Sequence, residues 1–135
     1  MTMAAHILVN EDNAANLELV RYLLAHRGYT VLVAHDGAQG VAMARQERPD
    51  LIICDLQMPM LDGYQVLEKL RGDEALPRFR IVAVTAFSMP NDRQKVLTAG
   101  FDGYLSKPIE PEKFVLQIEA FLPAELLSSR SAAND

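Results

Sequence analysis

The segment Leu51-Ile52-Ile53-Cys54 is apolar at every position and stops at a carboxylate, Asp55. Half-buried strands alternate apolar and polar residues, so a short run without alternation marks a strand covered on both faces. That is the signature of a parallel sheet packed between layers of helices. Sheets of this kind bind their ligands at the carboxyl ends of the strands. The chain then breaks into the loop Leu56-Gln57-Met58-Pro59-Met60-Leu61-Asp62-Gly63. For this stretch alone, an Asp that merely closes a strand and an Asp that does chemistry are equally good readings.

The rest of the chain repeats the pattern. Apolar runs at 6–10, 30–34, 80–85 and 103–106 predict four more strands, and the segments between them have helical periodicity. A helix over 14–27 places Leu17, Val20, Leu23 and Leu24 on one stripe and stops at Gly28. Asp36 caps a helix over 37–46 that is rich in Ala but weakened by Gly40. Asp62-Gly63 opens a third helix to 71, with Val66, Leu67 and Leu70 inward. A fourth over 91–99 has Val96 and Leu97 as its buried pair. A fifth runs over 111–122 from Pro111, with Phe114, Ile118 and Phe121 at helical spacing. Five strand–helix repeats predict an α/β fold, a doubly wound (βα)5 parallel sheet of flavodoxin-like strand order 2-1-3-4-5. The chain of 135 residues is expected to hold one domain over 6–122, with a flexible N-terminus at 1–5 and a loose C-terminal tail at 123–135.

The net charge of −5 argues against nonspecific binding to nucleic acid or an anionic membrane. Arg45, Arg48, Arg71, Arg78 and Arg80 form no basic stripe with interleaved aromatics. There is no apolar segment of about 18 residues and no signal-peptide pattern, so a cytoplasmic protein is expected. A single cysteine, Cys54, excludes an internal disulfide and reads as packing. His6, His26 and His35 have no metal-ligand spacing.

In the order 2-1-3-4-5, strands one, three, four and five end side by side. Their ends carry Glu11 and Asp12, Asp55, Thr85, and Lys107. Two carboxylates ~5 Å apart repel by roughly 3 kcal/mol at an effective dielectric of about 20. Three acids cannot all stay ionised near neutral pH unless cations join them. Lys107 supplies one positive charge, and hard oxygen ligands around an open site suit Mg²⁺ (or Mn²⁺), which shares its shell with phosphoryl oxygens. A carboxylate beside Mg²⁺ and a lysine is equipped to attack phosphorus and form an aspartyl phosphate.

Glu11-Asp12-Asn13, Asp55 with Met58-Pro59 and Asp62-Gly63, Thr85-Ala86 and Lys107-Pro108, in this order, make the chain from about 6 to 122 resemble the receiver domain of two-component response regulators. The resemblance implies that Asp55 is the phosphoacceptor, supplied by a histidine kinase or a histidine phosphotransfer protein. It implies that Asp12, Asp55 and the backbone carbonyl of Gln57 bind the metal, with Glu11, in place of the commoner Asp, acting through a metal-bound water. Lys107 would contact the phosphoryl group, and its bond to Pro108 would be cis. Thr85 and Tyr104 would be the switch pair, repacking the face made of the fourth helix, fifth strand and last helix for a downstream partner. Gln57 and Phe87 would tune the lifetime of the mark, Phe87 by shielding the acyl phosphate. The implied protein is not an enzyme but a switch with slow autophosphatase activity, a monomer or weak dimer. It is similar to stand-alone, single-domain regulators of the DivK kind; a phosphorelay intermediate or a receiver from a hybrid kinase is the alternative.

Three rivals fit less well. A phosphatase of the haloacid dehalogenase type needs a second acid two residues after its nucleophile, where Gln57 stands. In a flavodoxin-like electron carrier, Glu11 and Asp12 would repel the FMN phosphate. A docking module with a dead site would not be expected to keep competent residues at all five site positions.

Overall fold

The computed structural model describes residues 4–86 and 91–128. The chain alternates strand and helix throughout: β1 (His6–Asn10), α1 (Ala14–His26), β2 (Thr30–Ala34), α2 (Gly37–Glu47), β3 (Leu51–Asp55), α3 (Gly63–Arg71), β4 (Ile81–Thr85), α4 (Asp92–Ala99), β5 (Gly103–Ser106) and α5 (Pro111–Glu119). The five strands form one parallel sheet in the order β2-β1-β3-β4-β5, the flavodoxin-like arrangement expected.

Strand periodicity divides the core into two layers. Leu8, Ile52, Ile81 and Ala83 point to one face, where they meet Val41 and Ala44 of α2, Val66, Leu67 and Leu70 of α3, and Val96 of α4. Ile7, Val9, Leu51, Ile53, Val82 and Val84 point to the other, against α1 and α5. β3 and β4 are buried along their full lengths, which is why their sequences do not alternate. No described helix is long and apolar enough to cross a membrane.

Helix ends follow local chemistry. Asn13 caps α1 by accepting from the Asn16 amide, and Asp36 caps α2 through the Gln39 amide. Asp62 and Gln65 exchange side-chain and backbone hydrogen bonds in a capping box that starts α3. At the amino ends of the strands, Arg71 donates to the carbonyls of Phe79 and Gly100 and pairs with Asp102 at 3.0 Å, and Asp102 also accepts from the Ile81 amide. This cluster fastens α3, β4 and the α4–β5 turn to one another.

Three expectations need correction. Leu97 is 40% exposed, and Val96 alone is fully buried on α4. The two residues differ by about 100° around a helix axis, and α4 lies at the β5 edge, where only one stripe meets the sheet. α5 ends at Glu119 rather than near 122, and Phe121 is half-buried in the turn that follows. Residues 4–5 and 123–128 are not loose. Ala124–Leu126 forms a 3-10 turn, Leu126 and Leu127 pack on the α1–α5 layer, and the Ala5 amide donates to the Leu126 carbonyl at 2.9 Å. Ser128 is buried, with its hydroxyl donating to the Arg27 carbonyl at 2.6 Å. Tyr29 donates to Glu119, and Arg27 pairs with the same carboxylate at 3.2 Å. Burial of the small residues Ala5 and Ser128 depends on partners far away in the chain, which local sequence does not reveal. Residues 1–3 and 129–135 lie outside the described residues.

The placement of α4 yields a direct comparison. Val96→Ala should lower stability to urea by about 1.5–2.5 kcal/mol, through lost burial and a small cavity. Leu97→Gln should change it by less than about 0.5 kcal/mol. Equal losses from the two would contradict the observed orientation of α4.

Candidate functional site

β1, β3, β4 and β5 end along one edge of the sheet, and each delivers a functional group there. Asp55 is the last residue of β3 and is 3% exposed; Thr85, the last of β4, is fully buried. Glu11 follows β1, is buried, and its amide donates to the Ala34 carbonyl at 3.0 Å, so the turn into α1 is tied to the neighbouring strand. Asp12 stands exposed beside it. Lys107 follows β5; its amide donates to the Thr85 carbonyl at 2.8 Å, and the peptide bond to Pro108 is cis, as the resemblance implied.

These tethers bring the charged tips together. The Lys107 ammonium lies 3.0 Å from an Asp55 oxygen and 3.0 Å from a Glu11 oxygen. The Gln57 amide donates to the other Asp55 oxygen at 3.0 Å, and the Asn13 amide to the second Glu11 oxygen at 3.2 Å. Asn13 therefore does more than cap α1; its backbone contact with Glu11 is invisible to a reading of side chains. One oxygen each of Glu11, Asp12 and Asp55 falls within a group no wider than 4.8 Å.

Burial, the hydrogen-bonded contact with Asp55 and the charge of Asp55 push the Glu11 carboxyl up to about 7, against the pull of Lys107 and the Asn13 amide. Burial works against the Lys107 charge as well, but the hydrogen bonds and charges of Glu11 and Asp55 outweigh it and hold its pKa above the ordinary lysine value. The site thus carries more negative charge than its one ammonium balances. Three hard carboxylate oxygens at this spacing fit a divalent cation such as Mg²⁺. Cys54 is fully buried, and its thiol is pushed up by that burial, as suits packing rather than reaction.

Tyr104, the other residue of the predicted switch pair, lies within β5 rather than at its end. Tyr104 is half-buried and pairs in register with Ala83, so it shares the sheet face of Thr85, two residues further along β4. Beneath that face is a cavity of about 400 Å³ lined by Leu56, Gln57, Met58, Tyr64, Thr85 and Val96, among others. The Gln57 side chain is exposed, so its fixed feature is the backbone. Phe87 lies outside the described residues.

The geometry agrees with known proteins. The family model described as "Response regulator receiver domain" matches residues 7–119. The polar-differentiation response regulator DivK of Brucella anthropi is 35% identical over 120 residues, covering 89% of this chain and 98% of DivK. Vibrio cholerae chemotaxis response regulator CheY4 superposes with a TM-score of 0.82 at 30% identity, covering 90% of this chain and all of CheY4. The receiver domain of the Pseudomonas aeruginosa sensor histidine kinase PA1611, whose structure has a magnesium ion coordinated in the active site cleft, superposes with a TM-score of 0.78 at 34% identity, over 87% of this chain and 97% of that domain. Sequence match, strand order and the acid cluster converge, and the chain belongs to the response regulator receiver domain family.

Proposed function

We propose that this receiver domain is a phosphorylation switch in which Asp55 accepts a phosphoryl group from a phosphohistidine of a histidine kinase or phosphotransfer protein. The observation that carries the reading is the placement of Asp55. It is a buried carboxylate held between one lysine and one backbone amide, with two further acids at its side. An Asp55 oxygen attacks phosphorus, the P–N bond to the donor imidazole breaks, and its electron pair leaves with that nitrogen. The product is an acyl phosphate on Asp55. Lys107, released from Asp55 by the reaction, pairs with a phosphoryl oxygen, and the Thr85 hydroxyl hydrogen-bonds another.

Asp12, Asp55, the Gln57 carbonyl and, through water, Glu11 would hold Mg²⁺, with Mn²⁺ meeting the same oxygen preference. Its charge would neutralise the acids and the phosphoryl oxygens during transfer. Gln57 has no acidic proton to give a leaving group, which suits a persistent mark rather than a phosphatase.

The output is partner binding. Movement of Thr85 toward the phosphoryl group vacates space on the face it shares with Tyr104, and Tyr104 turns inward. The α4–β5–α5 surface is thereby repacked, a population shift driven by contacts to one added group. Exposed leucines on α4 and α5, Leu97 and Leu116, give that surface apolar contact area. Likeness to DivK over nearly its whole length favours a stand-alone regulator. Likeness to the PA1611 kinase receiver favours the alternative, a receiver that belongs to a hybrid kinase.

Three outcomes check this reading. A small acyl phosphate with Mg²⁺ should label the wild-type protein, and Asp55→Asn should remain unlabelled; equal labelling would refute the assignment. Lys107→Ala should slow labelling by at least about tenfold. Calorimetry should nevertheless show it binding Mg²⁺ as tightly as the wild type or tighter, since one competing positive charge is gone. The raised Glu11 pKa fixes the sign of a pH effect. Folded Mg²⁺-free protein holds a proton there that the unfolded chain releases near 4.5, so folding takes up a proton between about pH 4.5 and 7. Thermal stability without Mg²⁺ should therefore fall as pH rises through that window and level off above it. Glu11→Gln should remove this component, and Mg²⁺ affinity should rise with pH over the same range.

A further inference from the structure

Asn10 is the last residue of β1 and immediately precedes Glu11 and Asp12. It is 1% exposed, and both its amide oxygen and its amide nitrogen are buried without a hydrogen-bond partner among the described residues. Its side chain lies against the interior of α2 at Gly40. A methyl group built on Gly40 would overlap the Asn10 amide nitrogen and stand 2.6 Å from Cγ and 3.1 Å from Oδ1. The contact exists only because position 40 has no side chain.

Stability does not account for this pair. An apolar residue at position 10 would avoid burying an unpaired amide, and alanine at position 40 would favour the helix. Both unfavourable choices fall at one contact, next to the acid pair. The same helix also braces the other half of the site. At its first turn Gly37 lies so close to Leu61 that an added methyl would overlap the Leu61 carbonyl oxygen and sit 2.8 Å from its Cβ. Leu61 belongs to the loop that follows Asp55 and Gln57. One rigid helix therefore presses, through two glycines, on both chain segments that carry the candidate cation ligands.

We infer that Asn10 is a positioning residue: wedged against Gly40, it sets the end of β1, and with it the placement of Glu11 and Asp12 relative to Asp55. This rests on the cation-dependent reading of the acid cluster given above. The Asn10 side chain lies against Gly40 rather than among the acids. It acts through the backbone turn that β1 pairing with Ala34 and Cys54 delivers at its end.

The test compares Asn10→Ala, Gly40→Ala and the double variant with the wild type, all as the full chain. Three readouts are needed: thermal midpoint, amide hydrogen exchange of residues 11–13 in Mg²⁺-free protein, and Mg²⁺ affinity by calorimetry. Asn10→Ala should keep or raise the midpoint, yet speed exchange at 11–13 and weaken Mg²⁺ binding by about tenfold, as loss of outer support for a metal ligand typically does. Gly40→Ala should lower the midpoint despite its better helix propensity. In the double variant the new methyl occupies the space the amide left, so the midpoint should recover to the wild-type value or above, and exchange and affinity should lie nearer wild type than in either single variant. Wild-type exchange and Mg²⁺ affinity in both single variants, or strictly additive effects in the double, would overturn the inference. Failure of the wild type itself to bind Mg²⁺ would instead count against the functional reading, while the exchange data would still decide the role of Asn10.

Discussion

The site depends on one unbalanced sum of charge. One oxygen each of Glu11, Asp12 and Asp55 lies within 4.8 Å of the others, and Lys107 answers two of the acids with a single ammonium 3.0 Å from each. In such a place a buried group responds either by holding a proton or by recruiting a cation. The raised Glu11 pKa is the first response, available to the protein without any partner. A divalent ion would be the second, and it would free Glu11 to ionise. Phosphorylation would add further negative charge at the same point, so proton, metal and phosphoryl group are linked through one electrostatic account. The backbone makes the arrangement stiff. The amides of Glu11, Gln57 and Lys107 are each tied to a neighbouring strand end or carboxylate, which fixes the acids before any ligand arrives.

Much of this was legible in the chain. The unbroken apolar runs at Leu51–Asp55 and Ile81–Thr85 identified central strands because burial on both faces leaves no polar alternation to see. Parallel connectivity then forced the strand ends together, and the chemistry of the residues there pointed to phosphorus and a hard cation. What escaped the sequence was whatever depends on contacts between distant segments. Leu97 looked as apolar as Val96, and only the edge position of α4 separates them. Ala5 and Ser128 looked like parts of loose ends because small residues carry no periodic signal, yet each is held by hydrogen bonds across the width of the chain. Gly40 looked like a flaw in a helix. Its purpose is visible only from Asn10, which it meets across a strand and a turn.

The two poles of the sheet have different electrostatic characters. At the amino ends these cations outnumber their acids, but each has a carboxylate partner: Arg71 and Arg78 share Asp102, and Arg27 pairs with Glu119, which also accepts from Tyr29. At the carboxyl ends the acids outnumber the cation. A domain only marginally stable overall tolerates such a site because its layers and its opposite pole are well satisfied. Between the poles, Thr85 and Tyr104 share the face that looks onto α3 and α4.

The hydrogen bond between Ala5 and Leu126 has a practical consequence for handling the molecule. It brings the two ends of the described fold side by side, at the pole farthest from Asp55. A tether, fluorescent fusion or surface linkage attached at either end would leave the acidic edge pointing away from the support. A short loop joining the two ends would have little distance to span, which makes this domain a natural substrate for circular permutation, with new termini opened in an exposed loop elsewhere.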